Sequence, residues 1–327
     1  MSLRYYDAQA VFSLLTYERA IDAIAGALIN AVDPELESPR LFASAPQGEF
    51  LLMPAEGAAF CGVKALTVAP QNPLRGLPKI QGLYLLYTAS TLEPVAILDG
   101  AALTAIRTPA VAFCAVRVLA SIARAGHALP ASPRVLVFGA GTQALGCLLA
   151  ARAVLPDARF EVIGRSDAGL SRLRTQTDEH GIDFHDRRSD VETAVATADV
   201  IVCATTSTLP LFDGKLVKAS AIVAAIGTHG KRAREIDDGL VSRADVIVES
   251  RASAERENGN LSSYYSSDDW RTRPPANLRE LIRGEVKRRP GRPAVYTGVG
   301  MSWEDLVCAT AVHSSLNQGG QDLVSER

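Results

Sequence analysis

Cysteine and histidine are scarce in this chain of 327 residues, at five each. Cys61, Cys114, Cys147, Cys203 and Cys308 lie scattered through apolar segments, with no CxxC pair and no His/Cys group at zinc-ligand spacing. That excludes a disulfide framework and a zinc module, and the five read as buried thiols. The histidines 127, 180, 185, 229 and 313 are equally dispersed and form no HExxH, so no metal site is expected. An excess of either charge is also missing: 34 Lys and Arg stand against 36 Asp and Glu, a net charge of −2. Such a balance supplies no field for nucleic acid or an anionic membrane. Apolar runs stop short of the ~20 residues needed to span a bilayer, and no transmembrane helix is expected. The opening residues have Asp7 and Glu18 around a very short apolar stretch and lack the pattern of a secretory leader, so a cytoplasmic location is expected. What remains is an ordinary globular composition, 47% hydrophobic and 21% charged, with length for roughly two domains.

The two halves differ in texture. From Thr16 to about Val32, Ile21, Ile24, Ala25, Leu28 and Ile29 recur at the spacing of one helical face. The runs EFLLMPA, FCGVKALTV, IQGLYLLYTAS and PVAILDG are β-rich and separated by Pro and Gly, which predicts an antiparallel meander. A helical stretch follows from Ala101 to about Ala125, with Thr108 and Pro109 reading as an N-cap and first turn that restart a second helix. After the turn-rich 127–133 the chain alternates: strand RVLVFG, helix 142–155, strand RFEVIG, helix 167–179, then strands near 182–185, 199–204, 221–226 and 245–248. Alternation of this kind predicts parallel strands with crossover helices. Residues 258–292 read as a polar loop with one short helix near 277–283, PAVYTGVG as a returning strand, SWEDLVCATAVHSSL as a helix, and NQGGQDLVSER as a frayed tail. The expected fold class is α/β, a Rossmann-type doubly wound parallel sheet at 126–301, plus an α+β domain at 1–125 completed by 302–327.

Strand 134–138 runs into Gly139-Ala140-Gly141-Thr142-Gln143-Ala144 and then a helix, the GxGxxA form of the dinucleotide fingerprint in its strand–turn–helix setting. Gly139 permits the tight turn, Gly141 admits a pyrophosphate, and helix-start amides bind the phosphates. The next strand ends in Gly164-Arg165-Ser166 where an acidic residue would hold the ribose of NAD, and the arginine favours the 2′-phosphate of NADP(H), with NAD(H) the alternative. Ala204-Thr205-Thr206-Ser207 and Ile226-Gly227-Thr228-His229 follow later strands and are candidates for the same crevice. Lys64 stands in a strand apolar on both faces. It is either a desolvated lysine poised as proton donor or substrate anchor, or one whose stem packs while its ammonium reaches an edge. Arg107, in an otherwise apolar helix, calls for a carboxylate, either a ligand's or an internal one such as Asp99. Arg40, in ESPRLF, is by itself a loop arginine.

Together these residues resemble the ornithine cyclodeaminase and mu-crystallin family. The likeness runs through Pro39-Arg40, GVKALTV, AILDGAALTAIRT, VFGAGTQA, ATTS, AIG followed by Arg234-Glu235, SRADVIVESRASAERENG and VYTGVGMSWEDL. It implies a homodimer formed through the N-terminal sheet and the C-terminal helix, and a nicotinamide coenzyme on the Rossmann domain, with Thr108 and Gly300 added to the cofactor contacts. It also implies that Arg40 and Arg107 grip a substrate α-carboxylate while Lys64 lies near the reacting nitrogen-bearing carbon. True cyclodeaminases resemble GGDCPGKTE in the loop whose aspartate meets the substrate's amino group. Here the loop is GTHGKRARE, and His229 falls in the aspartate's place. This departure favours reduction of a small α-imino acid, such as 1-pyrroline-2-carboxylate, with Lys64 as the catalytic residue and His229 assisting proton balance. A cyclodeaminase-type lyase using bound NAD+ and a non-catalytic nucleotide-dependent binding protein are the alternatives. Pro109 is a second departure, since relatives often carry Gly or Ala there.

Overall fold

The computed structural model describes residues 3–36, 38–122, 128–227 and 230–322, which form two compact units, Met1–Arg107 with Met301–Arg327, and Thr108–Gly300. The first unit begins with strand β1 (Arg4–Tyr6) and helices α1 (Ala8–Leu14) and α2 (Tyr17–Asn30). Thr16 caps α2 by accepting from the Arg19 amide, and Ala20, Ile21, Ile24 and Leu28 bury the face that the spacing predicts. Strands β2 (Leu41–Ala45), β3 (Gly48–Ala55), β4 (Phe60–Val68), β5 (Ile80–Thr88) and β6 (Pro94–Asp99) follow. They make an antiparallel meander in the order β1-β6-β5-β4-β3-β2, with β1 parallel to β6. Residues 41–45 and 4–6 join it as edge strands too short for their pattern to announce them.

Helix α3 (Gly100–Ser121) is continuous, with Pro109 inside it. The restart expected at Thr108 and Pro109 does not occur. Proline removes the amide that would bond the carbonyl four residues back, and the Tyr17 hydroxyl donates to that carbonyl, on Ala105, at 3.3 Å. The division between units accordingly falls inside this helix at 107/108, not at 125/126. By length and composition α3 is apolar enough to cross a membrane in spite of Arg107 and Arg117, but it is largely buried, as a core helix is.

In the second unit β7 (Arg134–Phe138), α4 (Thr142–Val154), β8 (Arg159–Ile163), α5 (Asp167–Asp178), β9 (Phe184–Asp186), α6 (Val191–Thr197), β10 (Val200–Cys203) and β11 (Ile222–Ala225) alternate as predicted. Then come α7 (Asp238–Arg243), β12 (Asp245–Val248), α8 (Arg251–Glu257), α9 (Ser267–Thr272), β13 (Ala276–Asn277), α10 (Leu278–Ile282) and β14 (Ala294–Thr297). The sheet order is β13-β12-β14-β11-β10-β7-β8-β9, every pair parallel. The central strands are buried on both faces, which is why they read as unbroken apolar runs. The 258–292 segment holds the short helix expected near 277–283, α10, and a further one, α9; Asn277 and Ser266 start them with capping boxes. Helix α11 (Ser302–Asp322) returns the chain to the first unit. It runs through most of the expected frayed tail, and 323–327 lie outside the described residues. Four of the cysteines are buried; Cys61 is half-buried, since it faces away from Lys64's side of β4.

Candidate functional site

In the first unit the site is a buried charge cluster. Lys64 sits mid-strand in β4, fully buried, and its Nζ donates to Asp305 Oδ2 at 2.6 Å and to Thr104 Oγ1 at 3.3 Å. Arg107 Nη1 donates to Glu304 Oε2 at 2.8 Å, and its Nε lies 3.4 Å from Asp305 Oδ1. Glu304 and Asp305 belong to the first turn of α11, where free backbone amides favour negative charge. Thus β4, α3 and α11 each bring charge to one place, and both acids are fully buried. Burial, then the neighbouring Arg107, hold Lys64 down to about 8, against the upward pull of Asp305. Arg40 is half-buried and close enough for its charge to lower Lys64 further. Of the two readings of Lys64, the geometry selects the desolvated lysine. The internal partner considered for Arg107, Asp99, instead caps α3 by accepting from the Ala102 amide at 2.8 Å. Asp99 stands at the helix start, two turns from Arg107, and the internal acids that meet the guanidinium are Glu304 and Asp305.

The acids were missed as site residues. The signal was present in SWEDL, two adjacent carboxylates opening an apolar helix, but sequence alone does not say that this helix packs on the strand carrying Lys64.

In the second unit the glycine turn leaves β7 where the strand order reverses, between β7 and β10, the place where open parallel sheets bind nucleotides. Gly139 has φ 124°, and a Cβ there would lie 2.5 Å from the Ala204 carbonyl oxygen. Gly141 is the N-cap of α4, without a side-chain cap, and a Cβ there would meet open space. The uncapped start of a thirteen-residue helix facing open space fits a pyrophosphate. Glu235, fully buried, accepts from the Thr205 amide (2.7 Å) and hydroxyl (2.8 Å) through Oε1 and from the Gly227 amide (2.8 Å) through Oε2. It ties two strand-end loops together, and burial raises its carboxyl above the usual range. Among the other candidates, Thr206 and Arg165 are exposed, and Thr108 and Ser207 are half-buried. Ser166 caps α5 by accepting from the Gly169 amide at 3.2 Å. The Gly300 amide donates to Glu249, at 2.9 Å to Oε2, and so is engaged within the protein. Thr228 and His229 lie outside the described residues. Thr142 and Gln143 form the first turn of α4.

The chain is 29% identical, over 94% of both sequences, to Delta(1)-pyrroline-2-carboxylate reductase 2 of Burkholderia ambifaria. It is 30% identical to the ketimine reductase mu-crystallin of Mus musculus, over 82% of this chain and 80% of that protein. Among solved structures, Delta(1)-pyrroline-2-carboxylate reductase of Thermococcus litoralis, in complex with NADH and L-proline, superposes with a TM-score of 0.81 over 97% of this chain and 98% of that one; at 22% identity this likeness shows the fold. The model of the ornithine cyclodeaminase/mu-crystallin family matches residues 5–320, and the chain belongs to that family.

Proposed function

We propose that the chain is an NAD(P)H-dependent reductase of a small α-imino acid, of the 1-pyrroline-2-carboxylate or 1-piperideine-2-carboxylate class, yielding the amino acid. The observation that carries this reading is the buried lysine paired with Asp305 beside Arg107, in a chain whose similar relatives bear reductase names. By formal charge Lys64, Arg107 and Arg40 oppose Glu304 and Asp305, which leaves one positive charge for a monoanionic carboxylate. Arg107 and Arg40 receive that carboxylate, and Glu304 fixes the guanidinium of Arg107 from behind. The nicotinamide coenzyme, when bound, would supply the hydride for this reduction. Lys64 gives its proton to the imine nitrogen and regains one from solvent, Asp305 holding the ammonium in line; a lysine held near 8 is matched to that task. His229 assists the proton balance.

The glycine turn, Thr205 and Gly227 would hold the coenzyme, and Arg165 with Ser166 selects NADPH over NADH. The first sheet offers a homodimer face: Phe50 and Leu83 are 46% and 41% exposed, on the side of the sheet opposite Lys64, with Leu52 and Ala65 in register with Leu83.

The test is a panel of cyclic imines and of α-keto acids with amines, run separately with NADH and NADPH. Stoichiometric coenzyme consumption supports the reductase; ammonia release from a diamino acid without net consumption would replace it with the lyase.

A further inference from the structure

Tyr84 is cross-strand partner to Lys64 in the β4–β5 pair, so the two side chains leave the same face of the sheet. The residue is completely buried, and its hydroxyl makes no hydrogen bond among the described residues. A buried hydroxyl without a partner carries a penalty that phenylalanine would avoid at the same volume. The neighbouring strand residue on that face is Gly62, where a Cβ would lie 2.5 Å from the Tyr84 hydroxyl oxygen. The niche that receives the phenol therefore exists because position 62 has no side chain. Asp305 Oδ2 holds Lys64, whereas Oδ1 has no hydrogen-bond donor and only the Arg107 Nε at 3.4 Å. The charge of Asp305 is felt at Tyr84 and, with burial, keeps the phenol protonated and therefore a donor.

We propose that Tyr84 is a positioning residue for imine reduction, whose hydroxyl donates to Asp305 Oδ1 when Arg107 turns to the substrate carboxylate and so tempers the hold of Asp305 on the Lys64 proton. This rests on the reductase reading above. The charged and titratable groups around the Lys64–Asp305 pair are Arg107 on α3, Arg40, Glu304 and Cys308 on or beside the start of α11, and Cys61 with Tyr84 on the sheet. A donor on Asp305 weakens its hold on the lysine proton. Without the hydroxyl, Asp305 holds that proton more strongly and delivery slows.

The test compares Tyr84→Phe with the wild-type full-length chain, reading kcat against pH for a cyclic imine. Loss of the hydroxyl lowers kcat about tenfold, leaves the coenzyme KM unchanged, and moves the alkaline limb of kcat upward by about half to one pH unit. Replacing Tyr84 by 3,5-difluorotyrosine, nearly the same in shape with a more acidic phenol, moves the limb downward. Opposite shifts from two near-isosteric changes are not expected of a packing role. An unmoved limb in both variants, or shifts of the same sign, overturns the proposal; should the phenylalanine variant fail to fold, the fluorinated one decides alone. The same limb is read from the pH dependence of binding of pyrrole-2-carboxylate, a planar carboxylate that takes no hydride. A wild-type protein that reduces no imine thus overturns the functional reading while Tyr84 is still measured.

Discussion

Asp305→Asn removes the charge nearest Lys64 and keeps the side chain's size. Lys64 is held at about 8 by burial and Arg107, with Asp305 pulling the other way from 2.6 Å. An opposite charge at this range shifts a pKa by about 1–3 units, so its loss takes Lys64 to about 6. At about pH 7.5 the protonated fraction then drops from about three quarters to about one thirtieth, roughly twenty-five-fold, and kcat falls with it if Lys64 is the proton donor. The alkaline limb of kcat moves down by about 2 units for the same reason. The assay is coenzyme absorbance during steady-state turnover across pH, with nucleotide binding followed by fluorescence and folding by thermal melt. Nucleotide affinity stays as in the wild type, because the coenzyme turn belongs to the other unit. A folded Asp305→Asn enzyme with wild-type kcat and an unmoved limb would refute the assignment of Lys64.

The same lysine leaves a mark on stability. Its folded value, about 8, lies below its ordinary 10.5, so between these pH values the unfolded chain binds more protons and stability rises with pH, by up to about 3 kcal/mol across that window. Lys64→Met lacks this rise; equal slopes for the two proteins in denaturant titrations between about pH 8 and pH 10.5 would contradict it. Arg165→Ala raises the KM for NADPH about tenfold, an effect of roughly 1.4 kcal/mol, and leaves NADH unaffected, as read from parallel saturation curves. Leu83→Arg, on the face of the first sheet opposite Lys64, converts the proposed homodimer to monomer in light scattering; a wild-type protein already monomeric at micromolar concentration would dispose of that interface.

Much of the architecture was legible because its elements are locally encoded. Parallel strands buried on both sides read as apolar runs, the 3.6-residue spacing after Thr16 marks α2, and the glycine turn appears in its strand–turn–helix setting. Local rules failed at α3, where Pro109 signals a restart that a tyrosine nearly a hundred residues away makes unnecessary. They also failed for α9 in the polar 258–292 segment, a short capped helix that owes nothing to a long apolar periodicity, whereas α10 lies where it was expected.

The site divides along the same line. Sequence alone determined that Lys64 and Arg107 need partners, because a charge in an apolar element is costly unless it is met. Only tertiary structure decided which partners: Asp305 lies 241 residues from Lys64 and Glu304 lies 197 from Arg107, separations over which no periodicity carries information. The return of α11 onto the first sheet joins them, and that packing follows from the burial of whole faces, a property of the assembled chain and of no segment within it.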